Sequence, residues 1–260
     1  MLLKLGGSAI TTKEKQFTPD VEAIMRLVEE IKHADVSPLI LVHGGGSFGH
    51  PVAKQYLINE GYTDSSQIIG FSKTHQAMTV LNNLVVDSLI NQGIPAIAVP
   101  ASSCIITKSG RIESFEKGPL IRMLELGFLP VLYGDAVLDS DIDFTILSGD
   151  QLVSSLAMSL NAERIIIGVD VDGLYTADPK TDLSARFIQH ITLTELKRLQ
   201  HRVGEGKVID VTGGMPRKIQ ELIPAVEQGA PVIIVNATKP NNIYKALRGQ
   251  EVVGTEIERA

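Results

Sequence analysis

His43-Gly44-Gly45-Gly46-Ser47-Phe48-Gly49-His50 follows directly on the apolar run Leu39-Ile40-Leu41-Val42. Pro38 bounds that run on one side and the glycines bound it on the other. Four apolar residues without polar alternation fit a strand buried on both faces of a parallel sheet. A glycine cluster at the end of such a strand makes a tight turn, and its backbone can approach an oxyanion closely. Outward from this stretch the pattern recurs. Leu2-Leu3-Lys4-Leu5 runs into Gly6-Gly7-Ser8, and Val21, Ile24, Met25, Val28 and Ile31 then follow at helical spacing.

Downstream, residues 71–91 predict a long helix and residues 96–99 the next strand. Residues 103–113 predict a hairpin turned at Ser109-Gly110, and residues 136–146 a second one turned near Asp139-Ser140-Asp141. Between them lie a helix over 119–126 and a strand over 129–133. A helix is expected from about Asp150, strands over 164–169 and 232–235, and helices around 194–200, 216–228 and 241–247. Strands joined by helices predict the α/β class, with an open, mainly parallel sheet in an α/β/α sandwich. Ligands of such sheets bind beyond the carboxyl ends of the strands, where the glycine clusters sit. No linker composition interrupts the chain, so 1–260 is expected to be one domain. If it has two lobes, they divide near residues 161–164, into about 1–161 and about 162–260.

The chain of 260 residues carries a net charge of −6, which offers no electrostatic reason for nucleic-acid or membrane binding. An anionic substrate must therefore be held by a few local lysines and backbone amides. Cys104 is the single cysteine, so no internal disulfide forms and no Cys/His cluster has zinc spacing. No apolar run reaches membrane-spanning length and no signal-like segment precedes the first strand, so a reducing, cytoplasmic setting is expected.

Four glycine-rich segments carry the chemistry: residues 4–8, 43–50, 148–150 and 210–215. Successive backbone amides in such turns form anion-binding nests, helped by a following helix N-terminus. None is a Walker A loop, because Gly-x-x-x-x-Gly-Lys-Ser/Thr is absent. None has the acidic residue that a dinucleotide fingerprint requires at the right distance after a strand, which argues against an oxidoreductase.

Lys4-Leu5-Gly6-Gly7-Ser8, Ser148-Gly149-Asp150, Asp170-Val171-Asp172-Gly173-Leu174-Tyr175 and Thr212-Gly213-Gly214-Met215 with Lys218 resemble, in order and through nearly the whole chain, the amino-acid-kinase superfamily. Within it, His43 to Pro51 with the second histidine, His50, is similar to the isopentenyl phosphate kinases. The resemblance implies transfer of the γ-phosphoryl group of ATP to isopentenyl phosphate, with Mg²⁺ on the nucleotide and no dense carboxylate cage for the metal. It also implies a homodimer. A sister kinase for fosfomycin or an amino-acid carboxylate is an alternative, and so is a non-catalytic nucleotide-sensing module.

Lys4 ends the first strand and would place a point charge on the transferring phosphoryl oxygens. The resemblance gives a similar role to Lys13, with Lys15 two residues on, and makes Lys218 a second phosphate clamp. Asp150 would hold the Lys4 and Lys218 ammonium groups, and could otherwise cap a helix. Gly6, Gly7, Ser8, Gly46, Asp170, Asp172, Tyr175, Gly213 and Gly214 are the remaining nucleotide candidates. His50 would bind the acceptor phosphate, offsetting charge as an imidazolium and sitting beside free amides at a helix start. Gly45, Gly46 and Gly149 accompany it. Phe71, Met78, Leu81, Ile142 and Ile146 are candidates for an apolar tail pocket. Arg217 is expected to point away from Lys218, and His43 to pack at its strand end.

Overall fold

The computed structural model describes residues 1–12, 15–177, 182, 184–204 and 215–259, with side chains described only to 198 in the helix that ends at 204. The strands are β1 Leu2–Leu5, β2 Ile40–His43, β3 Ala96–Ala98, β4 Ile105–Lys108, β5 Arg111–Phe115, β6 Leu129–Tyr133, β7 Asp135–Asp139, β8 Asp143–Leu147, β9 Ile165–Val169, β10 Leu174–Tyr175, β11 Phe187–Ile188, β12 His190–Thr192, β13 Val232–Asn236 and β14 Gly254–Glu258. The helices are α1 Gly7–Ile10, α2 Val21–Ala34, α3 Gly46–Gln55, α4 Ser66–Asn91, α5 Gly118–Glu125, α6 Gly149–Leu160, α7 Leu193–Gly204, α8 Met215–Glu227 and α9 Asn242–Leu247.

The central sheet runs β12-β14-β13-β9-β1-β2-β6-β3 among the described residues. Its pairs are parallel except β13–β14. This is the mainly parallel sheet expected. β1 lies at its middle, with β2 on one side and β9 on the other. Chain order reverses there, and a crevice opens at the carboxyl ends of these strands. The turn after β1 and the turn after β2 both empty into it.

Side chains alternate across the sheet, as period 2 requires. Leu2, Ile40, Val42, Ile165 and Ile167 face one layer, which holds Leu152 and Leu156 of α6 and Ile219 and Leu222 of α8. Leu3, Leu5, Leu41 and Ile166 face the other layer, which holds Leu27 of α2, Leu81 and Val85 of α4 and Ile243 of α9. Lys4 therefore shares a face with Leu2 and points toward α6 and α8. His43 shares a face with Leu41 and points toward α4. These two parities decide who meets whom at the site.

A second sheet, β5-β4-β7-β8, contains both predicted hairpins. Asp139 joins them: its carboxylate accepts from the Ser109, Gly110, Asp141 and Ile142 N–H groups. The expected helices and strands all form, with ends shifted by a few residues. Some elements lack a sequence signal. These are α1, the β10–β11 ribbon, β12 and β14, each too short or too polar to show a period. Two helix starts also differ. α4 begins at Ser66 rather than 71, and α3 begins at Gly46 rather than after His50. The glycine turn thus becomes the first turn of α3.

Candidate active site

The turns after β1 and β2 touch. A Cβ on Gly7 would overlap the Gly46 backbone, and Gly46 itself sits at φ +47, with Thr11 Oγ1 and Gly7 O where a side chain would go. Only glycine satisfies both conditions at Gly46. Thr11 fastens the contact by donating to Gly7 O at 2.8 Å and accepting from Ser47 N at 3.1 Å.

Above the crevice, Lys4 Nζ lies 2.6 Å from Asp150 Oδ1, and Lys218 Nζ lies 3.2 Å from Asp150 Oδ2. One carboxylate therefore holds two ammonium groups that come from β1 and α8. Ser148 makes this possible: its side chain caps α6 by accepting from Gln151 N at 3.1 Å. Asp150 is not the cap, and its two oxygens are left for the lysines. Burial would raise the Asp150 carboxyl, but Lys4 and Lys218 outweigh it and hold it below the usual range. Lys4 is 2% exposed. Burial pulls its ammonium down to about 8, with Asp150 opposing and Lys218 assisting.

Two cavities flank this trio. One, of about 350 Å³, is lined by Lys4, Gly44, Gly45, Gly49, Gly149 and Asp150 at its polar end and by Ala53, Met78 and Ile146 at its apolar end. The other, of about 520 Å³, is lined by Gly6, Ser8, Thr11, Lys15, Gly46, Ser47, Asp170 and Met215, among others. Gly7, His50 and Lys218 line both, so they form the shared wall. Asp170 accepts from Ser8 Oγ at 3.0 Å and so joins the end of β9 to the turn after β1.

Several expectations need correction. His50 lies in the second turn of α3, not at its start, because the helix begins at Gly46. Burial, then Lys218, Lys4 and Arg217, keep its ring below the usual histidine range, against Asp150. Before any ligand arrives the ring thus holds its proton less tightly than a free histidine. Arg217 does not point away: it lines the same cavity as Lys218, since both belong to the α8 turn over the crevice and arginine is long. Phe71 packs on Phe144, in one apolar cluster with Ala53 and Ile146, and is not among the residues lining the first cavity. Leu81 is core. Ile142 sits over Gly61, and its carbonyl accepts from Tyr62 N. Asp172 is held by Asn236 Nδ2 at 2.9 Å and by Lys239, Tyr175 meets Phe187 edge-on, and neither is among the residues that line these two cavities. Lys13, Gly213 and Gly214 lie outside the described residues, while Lys15 lines the second cavity.

Asp135 escaped the sequence reading. Its side chain is fully buried, lines the first cavity, and accepts from His75 Nδ1 and from Ala136 N, both at 2.8 Å. The bond to Asp135 raises the His75 ring above the usual range, against partial burial. The signal was present: Gly134-Asp135 follows the apolar run of β6, as Gly149-Asp150 follows β8.

The amino acid kinase family model matches residues 1–236. An isopentenyl phosphate kinase from Methanothermobacter thermautotrophicus is 41% identical over 99% of this chain and 98% of its own length. One from Methanocaldococcus jannaschii is 36% identical over 99% of this chain and 98% of its own. A crystal structure of isopentenyl phosphate kinase superposes with a TM-score of 0.87 at 39% identity, covering 98% of this chain and 99% of that one. The T. acidophilum isopentenyl phosphate kinase product complex gives 0.82 at 29% identity, covering 99% of both chains. UMP kinase from Ureaplasma parvum, at 18% identity and 0.66, shares the fold. Fold, site and relatives agree, and the chain belongs to the amino acid kinase family, within its isopentenyl phosphate kinase branch.

Proposed function

We propose that this chain transfers the γ-phosphoryl group of ATP to isopentenyl phosphate, giving isopentenyl diphosphate and ADP. The observation that carries the reading is the shared wall. Gly7, His50 and Lys218 stand where a polar cavity with an apolar end meets a second, glycine-rich cavity, and Lys218 there shares the Asp150 carboxylate with Lys4 of the first. The acceptor occupies the first, with its tail against Ala53, Met78 and Ile146. ATP occupies the second, its phosphates over Gly6, Gly7, Ser8 and Gly46.

In the transfer, an acceptor phosphate oxygen forms a bond to the γ-phosphorus while the bond to the β–γ bridging oxygen breaks, and ADP leaves. That nucleophile is already ionised, so no general base is required. The protein's task is positioning and charge stabilisation. Two ammonium groups against one carboxylate leave a net positive charge at the junction, and Arg217 adds to it. His50 donates a hydrogen bond to the acceptor phosphate, whose charge then favours the protonated ring. Among the described residues no cluster of three acidic, histidine or cysteine groups could hold a metal, and Asp150 is occupied by lysines. Mg²⁺ carried on the ATP phosphates would supply further charge neutralisation there, as suits an ion that keeps its water, while Lys4 and Lys218 hold the phosphoryl oxygens.

On this reading the lobe up to about 161 holds the acceptor and the remainder holds the nucleotide. Lys13 or Lys15 acts on the phosphates, Gly213 and Gly214 belong to the nucleotide site, and the protein acts as a cytoplasmic homodimer. The test is ADP release with isopentenyl phosphate, glutamate, fosfomycin or no acceptor. Turnover confined to isopentenyl phosphate is expected. Preference for a carboxylate would overturn the acceptor assignment, and ATP binding without turnover on any acceptor would make the chain a sensor.

A further inference from the structure

We propose that His43 is a positioning residue. Its ring locks the Gly44–Gly45 peptide so that the Gly45 N–H faces the acceptor phosphate. The inference rests on the acceptor site proposed above.

His43 ends β2 on the face that looks toward α4, and it is 0% exposed. Its Nδ1 lies 3.1 Å from Gly44 O, and its Nε2 lies 3.1 Å from Asn82 Oδ1 on α4. Tyr133 stacks on the ring at 5.4 Å and 23°. A carbonyl oxygen only accepts, so the hydrogen must be on Nδ1. Burial keeps the ring below the usual histidine range, with Lys4 adding to the effect against the bonds to Gly44 and Asn82. Burial thus favours a ring with one hydrogen, on Nδ1, which makes Nε2 an acceptor. As placed, Asn82 presents Oδ1 to Nε2; exchanging the amide oxygen and nitrogen, which are equal in shape, presents NH₂ instead, and that is the orientation an accepting Nε2 requires.

The consequence is geometric. The Gly44–Gly45 peptide is trans, because the one cis bond among the described residues is Ser37–Pro38. In a trans peptide the C=O and the next N–H point in opposite directions. Gly44 O is drawn down to the buried ring, so Gly45 N–H points up and away from it. Gly44 and Gly45 line the first cavity, and Gly45 N–H meets no acceptor among the described residues. Gly44 N is already tied to Leu5 O at 2.9 Å, so the rotation left to this turn is at the next peptide. Three consecutive glycines leave that rotation nearly free. A histidine beneath them removes the freedom that the close approach at Gly7 and Gly46 requires them to have. An amide fixed before the phosphate arrives costs no reorganisation during transfer.

The test uses two isosteric substitutions. His43→Asn keeps an amide donor near the position of Nδ1, whereas His43→Gln places its amide near Nε2 and leaves Gly44 O unbonded. Expected with isopentenyl phosphate is that Asn retains most of the wild-type kcat, while Gln loses about 10²-fold with the ATP KM unchanged. A residue that only bridged to Asn82 would show the reverse order. Equal activity of the two variants, or Gln exceeding Asn, overturns the proposal. ¹⁵N NMR of the ligand-free wild type settles the bond without activity or mutation. Hydrogen on Nδ1 is expected, and hydrogen on Nε2 alone overturns the inference. If the wild type fails to turn over isopentenyl phosphate, the acceptor reading falls while the NMR result still decides the His43 bond.

Discussion

Lys4→Met should make the protein more stable and nearly inactive. Lys4 Nζ is buried 2.6 Å from Asp150, yet its ammonium is pulled down to about 8 from 10.5, because burial outweighs the carboxylate. A displacement of that size corresponds to about 3 kcal/mol held against folding at neutral pH. Methionine has similar length and carries no charge, so it removes this cost. Asp150 loses its nearer partner but keeps Lys218 at 3.2 Å, which offsets part of the gain. The expected net is about 1–2 kcal/mol of added stability, or a Tm higher by about 2–8 °C. The pH dependence supplies an internal check. A lysine whose folded pKa is depressed binds fewer protons in the fold than in the unfolded chain. Wild-type stability should therefore rise with pH from about 8 to about 10.5, and that rise should be missing from Lys4→Met. Turnover should fall by about 10²–10³-fold, as for loss of one stabilising group at a charged transition state. Urea unfolding at several pH values, with ADP release on the same preparations, reads both effects. A variant that is destabilised, or that keeps near-normal turnover, would refute the account of a charge held in place for the reaction.

His50→Ala should raise the KM for isopentenyl phosphate and lower kcat with the ATP KM little changed, while His50→Gln retains more activity because it keeps a hydrogen-bond donor; steady-state kinetics showing Gln no better than Ala would contradict this. Gly46→Ala must accept φ +47 and a Cβ against Thr11 Oγ1, so it should lose about 1–3 kcal/mol along with turnover, and an unchanged Tm would count against the abutting turns. The raised His75 pKa means that its bond to Asp135 contributes fully below about pH 6.5 and is lost as pH rises through the higher folded value. Thermal melts of His75→Gln should therefore lack a decline in Tm that the wild type shows between that pH and the onset of the Lys4 effect.

The fold was legible where short, mainly apolar strands run into glycine turns, as β1 into Gly6, β2 into Gly44 and β6 into Gly134. β1 and β6 fall where the residues predict them, Leu2–Leu5 and Leu129–Tyr133. β14, Gly254–Glu258, was not legible, since Thr255, Glu256 and Glu258 break any apolar pattern. Its place in the sheet comes from antiparallel pairing with β13, a tertiary contact with no local signature. At the site, Lys4, Asp150 and Lys218 were legible from their glycine turns. Arg217 was misread because adjacency on a helix was taken to separate directions, which fails for a long side chain in a turn that overhangs a cavity. The downward pull on the ligand-free His50 ring was not legible, because it comes from burial and from cations on two other elements, Lys4 of β1 and Lys218 and Arg217 of α8, which no linear motif contains.

Side-chain parity ties these particulars together. Lys4 and His43 lie on adjacent strands, β1 and β2, with Lys4 opposite Val42 and Leu5 opposite His43. One residue of difference sends Lys4 to the α6–α8 face and His43 to the α4 face. On the first face the carboxylate of Asp150 gathers charge for the phosphoryl group. On the second, Asn82 and Tyr133 hold the ring under the glycine turn. A register slip of one residue in β2 would carry His43 to the lysine face and an apolar residue beneath Gly44. The sheet's pairing therefore sets both the charge at the junction and the direction of the amide beside it.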